Sequence, residues 1–216
     1  MLASFIKQEE SLIRKNVLLM GHNTREAIIT AMKCYQNLDH SLADEVINND
    51  KIINQQQAVI ESECIKVIAT QQPVANDLRE FLADMSIANE LERIADYAVA
   101  IAKIVQKMPV DNEHLDDDIL LMAEKCVNML DEVLIDYAEQ DAQKANAVAL
   151  KDDEIDLLEH DLNDKFFNLM QSKPENSVHY TYQLWVVRQL ERIGDRVTNI
   201  AESVIFLATG KLVNFD

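Results

Sequence analysis

Carboxylates at helical spacing carry the most evident chemistry in this chain. Glu92 and Asp96, and again Glu191 and Asp195, stand four residues apart. On a helix each pair shares one face, with its members about 6 Å apart along the axis. Asp152 and Asp156 repeat the spacing, and Glu159 follows three residues later. Like charges placed this way repel by a few tenths of a kcal/mol unless something neutralises them. Two readings follow. Arg93, Arg188, Arg192 and Arg196 lie close along the same segments and can turn these rows into a mixed-charge, solvated face. Alternatively, pairs facing each other from adjacent helices form a cation site of oxygen ligands only. That donor set suits hard cations and iron, and discriminates weakly among magnesium, calcium, manganese and iron. A buried ferritin-like di-iron core is disfavoured, because it needs inward Glu-x-x-His motifs and no histidine here has a glutamate three residues before it.

Other chemistry-bearing residues read as structural. His22, His40, His114, His160 and His179 show no ligand spacing and are expected at or near the surface. Cys34, Cys64 and Cys126 are odd in number, widely spaced and set among apolar residues, which points to buried free thiols. Tyr180, Tyr182 and Trp185 are expected to pack, although aromatics at a helix start also suit a contact surface. No nucleophile elbow, zinc-hydrolase helix, kinase signature or Gly-rich phosphate loop occurs. Paired carboxylates can do acid/base work, but on exposed faces nothing separates their pKa values. The chain is therefore read as a non-enzyme with no catalytic residues.

The elements that position these residues are long helices. Only 3 Gly and 3 Pro occur in 216 residues, against an average usage of roughly 12% for the two together, so turns are few. That argues against β-sandwiches. Hydrophobic periodicity and breakers predict helices over residues 5–38, 41–69, 73–107, 117–139, 141–171 and 175–207. Pro73 is assigned to a first helical turn, with Gln72 forced out of the right-handed helical region. The polar stretch from Val110 to Asp118 offers aspartates as caps and is the best division of the chain. Two domains are thus expected, 1–109 and 110–216, each a three-helix bundle.

Aligning the third and sixth helices at an offset of 99 places Leu91-Glu92-Arg93-Ile94-Ala95-Asp96 on Leu190-Glu191-Arg192-Ile193-Gly194-Asp195. It also superposes the seam Ile87, Leu91, Ile94, Ala98, Ile101, Val105 on Val186, Leu190, Ile193, Val197, Ile200, Val204. This is an internal duplication with bundle-type packing. Residues 50–54 give a weaker echo of 152–156. Charge is shared unevenly: 11 Lys and Arg against 15 Asp and Glu in 1–109, and 9 against 23 in 110–216. The total of -18 repels a nucleic-acid backbone. No segment approaches a membrane span, and charges within the first ten residues leave no signal-peptide core, so a cytoplasmic location is expected.

The stretch Gln71-Gln72-Pro73-Val74-Ala75-Asn76-Asp77-Leu78-Arg79, the Leu91–Asp96 motif and the run Leu190-Glu191-Arg192-Ile193-Gly194-Asp195-Arg196-Val197-Thr198-Asn199-Ile200-Ala201-Glu202 resemble the duplicated signature of the PhoU family of phosphate-signalling proteins. The resemblance runs from about residue 9 to 210. It implies an all-α fold of two tandem three-helix bundles, in agreement with the division above. It further implies E(D)-x-x-x-D motifs that in some members hold multinuclear iron, or another metal such as magnesium, manganese or zinc, on the bundle surface. Carried onto this sequence, these are Glu92 with Asp96, Glu191 with Asp195 and Asp152 with Asp156. Asp50 stands with Asn54, which lacks the second carboxylate. Asn199 and Glu159 join the second set, whereas the first repeat has Ala100 and Gln57 there, so the first site is poorer in oxygen ligands. The function implied is negative regulation of the phosphate-starvation response. It would work through contact with the ATP-binding subunit of the phosphate ABC transporter and with the phosphate sensor histidine kinase, and so be peripheral to the membrane through partners only. Asp77 and Arg79 are a candidate partner contact, a helix-start ion pair being the simpler account. Flat apolar-rimmed faces leave a homodimer open. A metal store and a purely structural helical scaffold are the alternatives.

Overall fold

The structure, a computed structural model, describes residues 2–109 and 115–215. Its helices are α1 (Leu2–Asn37), α2 (His40–Gln71), α3 (Asn76–Val105), α4 (Asp117–Glu139), α5 (Ala142–Ala149), α6 (Asp152–Ser172) and α7 (Ser177–Thr209), with one 3-10 turn at Pro174–Asn176. Among the described residues there is no strand. Helices α1, α2 and α3 pack on one another as the first bundle, and α4, α5, α6 and α7 form the second.

Aspartates start three of these helices. Asp39 Oδ1 accepts from the backbone N–H of Ser41 and Leu42 at 2.9 and 3.3 Å, Asp116 from Asp118 at 3.1 Å, and Asp141 from Gln143 and Lys144 at 3.0 and 3.1 Å. Each satisfies donors that have no partner within the helix. Termination is less conventional. With so few glycines, Leu38, Gln72 and Gln140 adopt left-handed backbone at φ 49°, 49° and 54°, at a cost of roughly 1–2 kcal/mol each; Gly210 ends α7 without that cost at φ 72°. This is why residue types alone misplace two boundaries. Pro73 is not in a first helical turn: α3 begins at Asn76, after Ala75 at φ 50°. The element expected over 141–171 is two helices. Around Leu150 and Lys151 the backbone stays right-handed but tightens to i→i−3 hydrogen bonds, Lys151 N–H to Val148 O at 3.0 Å and Glu154 N–H to Lys151 O at 3.1 Å. The bend lets both pieces follow α7. It also gives α6 a fresh first turn of Asp152, Asp153 and Glu154, which complements the helix dipole. Residues 110–114 of the expected linker lie outside the described residues.

All twelve residues of the duplicated seam are buried. The duplication reaches polar detail: the Leu91 carbonyl accepts from the Thr24 hydroxyl of α1 at 3.3 Å, and the Leu190 carbonyl from the Cys126 thiol of α4 at 3.3 Å. Cys34, Cys64 and Cys126 are free and buried. The bundles meet along antiparallel α3 and α7, where Ser86 pairs with Ser203 at 3.0 Å, Glu90 accepts from Arg196 and Asn199 at 3.3 Å each, and Arg192 lies 5.8 Å over the Tyr97 ring. Helices α1 and α4 add Arg25 on both oxygens of Asp131, at 2.8 and 2.9 Å. Gly21 of α1 lies close to Leu134 of α4, whose Cδ1 would stand 2.6 Å from an added Cβ.

Candidate functional site

Helix α7 divides its charged residues by face. Arg192 and Arg196 turn toward α3 and make the joint just described. Glu191 and Asp195 turn toward α6, where Asp152, Asp156 and Glu159 face them, as the mutual electrostatic influence of these groups records. Five carboxylates thus gather across the α6–α7 groove. Arg188 answers two of them: its Nη1 lies 2.7 Å from Glu191 and 3.3 Å from Glu159. Ion pairing is therefore realised at Glu159 and Glu191, through Arg188.

Asp156 is exposed, but Asp152, Glu159, Glu191 and Asp195 are not on an open face. Glu191 is half-buried and Asp152 is shielded between α6 and α7. A heptad position that faces away from one neighbour is still covered when a helix has neighbours on three sides, as α3 and α7 do. Burial is the first cause of the shifts that result. It raises Asp152 from 3.8 to about 7, helped by the charges of Asp156 and Asp195. It raises Glu191, with Asp195 adding and Arg188 opposing, and Asp156, with Glu159 and Asp153 adding. The expectation that nothing would separate these pKa values is corrected accordingly.

Two oxygens of the cluster, Asp152 Oδ1 and Glu191 Oε2, are buried without a hydrogen-bond partner. Asp152 reaches this position because α7 has glycine beside it: a Cβ on Gly194 would stand 2.3 Å from Asp152 Oδ1. The Thr198 hydroxyl, one turn further on, is also buried; it makes no hydrogen bond of ordinary geometry yet lies near enough to Asp152 to oppose the effect of burial on it. Sequence reasoning missed both residues; the departure of Gly194 and Thr198 from Ala95 and Val99 at the repeat offset was the available signal. Buried oxygens with no partner, facing one another across two helices, fit a cation-binding donor set. Among the described residues no three carboxylates, imidazoles or thiols already form a closed ligand arrangement, so a cation here would have to draw the facing groups together.

In the first repeat Asp50 of α2 faces Glu92 and Asp96 of α3. Burial raises both Asp50, with Asn54 opposing, and Glu92, with Asp96 adding. Asn54 donates to Asp50 Oδ2 at 2.9 Å, and Arg93 stands 3.8 Å from Glu92 and 3.9 Å from Asp96. Asn199 is placed apart from the second cluster, its amide donating to Glu90 across the joint.

Other expectations change. His179 is buried, 2% exposed, with its ring edge-on to Tyr180 at 6.0 Å, because the start of α7 is covered by its own bundle. Tyr180 packs on Phe166 at 5.9 Å, whereas Trp185 is 49% exposed beside Tyr182. Arg79 donates to Asn76 at 2.6 Å rather than to Asp77, which instead accepts from Lys7 at 3.2 Å. No helix among the described residues is long and apolar enough to cross a membrane.

The family model described as PhoU domain matches the chain twice, over residues 17–105 and 119–204. A phosphate-specific transport system accessory protein PhoU homolog of Clostridium acetobutylicum is 35% identical over 206 residues, 94% of either chain. A homolog of the same description in Streptococcus pneumoniae is 31% identical over 205 residues, 94% of this chain and 95% of its own. The crystal structure of the phosphate transport system regulatory protein PhoU from Streptococcus pneumoniae superposes with a TM-score of 0.92 at 30% identity, over 97% of this chain and all of that one. PhoU from Pseudomonas aeruginosa superposes with a TM-score of 0.89 at 28% identity, over 95% and 99%.

Proposed function

Because this chain belongs to the PhoU domain family, matched in both of its repeats, we propose that it is a cytoplasmic regulator of phosphate uptake and signalling. It acts as a negative regulator of the phosphate-starvation response, with carboxylate metal sites on its bundles. The transport role is supported by relatives named as accessory and regulatory proteins of phosphate transport. The observation that carries the metal sites is the facing of Asp152, Asp156 and Glu159 with Glu191 and Asp195, two of whose buried oxygens lack partners. Asp50, Glu92 and Asp96 are the poorer counterpart. Iron, manganese, magnesium or zinc is the candidate ion, in one or several copies; bound there, it would supply the positive charge that lets these carboxylates ionise together.

In this reading the protein is an adaptor rather than a catalyst. Its partners are the ATP-binding subunit of the phosphate transporter and the sensor histidine kinase of the phosphate response, and it reaches the membrane only through them. Metal sets the charge and closure of the α6–α7 groove, and through α7 the joint with α3.

Deleting the gene and following a phosphate-repressed reporter at high phosphate tests the regulatory role. Derepression is expected, and repression that survives deletion refutes it. Plasma mass spectrometry of the purified protein, against an Asp152→Ala, Asp156→Ala, Glu191→Ala, Asp195→Ala variant, tests the metal. Co-precipitation with each of the two partners tests the adaptor role.

A further inference from the structure

The two repeats share their carboxylate motif but differ in the two small residues behind it. At the repeat offset Gly194 replaces Ala95, and Thr198 replaces Val99. The consequences are visible on the matching faces. In the second repeat Asp152 Oδ1 occupies the space that a Cβ at position 194 would take, 2.3 Å from it. Ile155 is also close, its Cδ1 3.1 Å from that point. Asp152 is thereby seated against the α7 backbone, beside a Thr198 side chain that is 5% exposed and whose hydroxyl neighbours Asp152 without a hydrogen bond of ordinary geometry. In the first repeat Ala95 and Val99 instead line a cleft of about 290 Å³ between α1, α2 and α3, with Asp50 at its side. There Asp50 Oδ1 is buried without a partner, as Asp152 Oδ1 is, but its Oδ2 accepts from Asn54, whereas Asp156, the residue matching Asn54, is a further acid.

We infer that Gly194 and Thr198 are the positioning residues that make the α6–α7 cluster the tight metal site, and that the pseudo-equivalent α2–α3 cluster, backed by Ala95 and Val99, is a weak one that fills later. This rests on the metal reading proposed above. Glycine provides the depth, since any side chain at 194 drives Asp152 outward. Thr198 provides a neutral oxygen at that depth, a group that can orient a metal-bound carboxylate or enter the ligand set itself. The first repeat has methyl groups in both places and offers neither. The matching Glu-x-x-x-Asp pairs of α3 and α7 would then fill at different metal concentrations, so that pair alone does not predict occupancy.

The test is titration of the metal-free full-length protein with Mn²⁺, followed by calorimetry and by the electron paramagnetic resonance of the free ion. Five proteins are compared: wild type, Asp152→Ala/Glu191→Ala, Gly194→Ala/Thr198→Val, the near-isosteric Thr198→Val alone, and Thr198→Ser. The wild type is expected to show a tight and a weak class of sites. Asp152→Ala/Glu191→Ala loses the tight class. Gly194→Ala/Thr198→Val weakens it at least about tenfold, the effect typical of groups that orient metal ligands, while the weak class is unchanged. Thr198→Ser restores the affinity lost in Thr198→Val. If Gly194→Ala/Thr198→Val does not fold, as read from its urea transition, Thr198→Val and Thr198→Ser carry the test. Wild-type affinity in the Gly194/Thr198 variants alongside its loss in Asp152→Ala/Glu191→Ala overturns this inference and leaves the metal reading standing. Absence of Mn²⁺ binding in the wild type overturns both.

Discussion

The joint between the repeats contains an acid whose ionisation can be read as stability. Asp84 of α3 is fully buried and accepts from the Tyr137 hydroxyl of α4 at 2.5 Å. Glu10 and Arg14 of α1, Cys64 of α2 and Glu80 of α3 are the other titratable or charged groups that face it. Burial outweighs the Tyr137 hydrogen bond and the Arg14 charge, and pushes its pKa from 3.8 up to about 7. A carboxyl raised on folding is tolerated when neutral and penalised when charged, so stability is lost as pH rises from about 4 through about 7. By linkage the penalty is about 1–2 kcal/mol at pH 5 and about 4 kcal/mol at pH 8, so roughly 2–3 kcal/mol disappears between those two pH values. The perturbation is Asp84→Asn, which keeps an acceptor for Tyr137 and cannot ionise. Its added N–H groups change the absolute stability, so the change of stability with pH is compared instead. Urea transitions of both proteins between pH 5 and 8 give that slope. The wild type should lose roughly 2–3 kcal/mol more than Asp84→Asn over this range; parallel curves would mean that Asp84 is already charged in the folded protein, and would refute the argument.

Three further outcomes are expected. Arg188→Ala removes the cation that now answers Glu191 and Glu159; as a partly exposed pair worth about 0.2–1 kcal/mol, its loss should tighten Mn²⁺ binding up to a few-fold by calorimetry, and weaker binding would make Arg188 a supporting rather than a competing group. Gly21→Ala places a methyl 2.6 Å from Leu134 Cδ1, and overpacking there should cost about 1–3 kcal/mol in urea denaturation, whereas an unchanged midpoint would show that the α1–α4 contact yields freely. Ile193→Ala empties a fully buried position of the second seam and should cost about 2–5 kcal/mol, with its partner Ile94→Ala costing a similar amount if the two repeats are equally well packed.

The sequence by itself determined the helical class, the duplication and the pairing of carboxylates on helix faces, because these follow from short-range periodicity and from the absence of turn formers. Ile94 and Ile193 could be matched without coordinates, as could Glu92 with Glu191. Helix ends were less legible: Leu38, Gln72 and Gln140 take the left-handed turns that glycine usually marks, and the acidic triplet at 152–154 was a first-turn signal inside what looked like one uninterrupted helix. The direction of each arginine was beyond reach. Arg188, Arg192 and Arg196 have similar spacing, yet Arg188 answers the carboxylates while the other two join α7 to α3. Only the tertiary structure decided this, together with the burial of Asp152 against Gly194 and of Asp84 against Tyr137. Exposure and electrostatic environment depend on which helices pack around a face, and those neighbours come from other helices, Glu159 lying 29 residues from Arg188 and Tyr137 53 from Asp84, which no local pattern encodes.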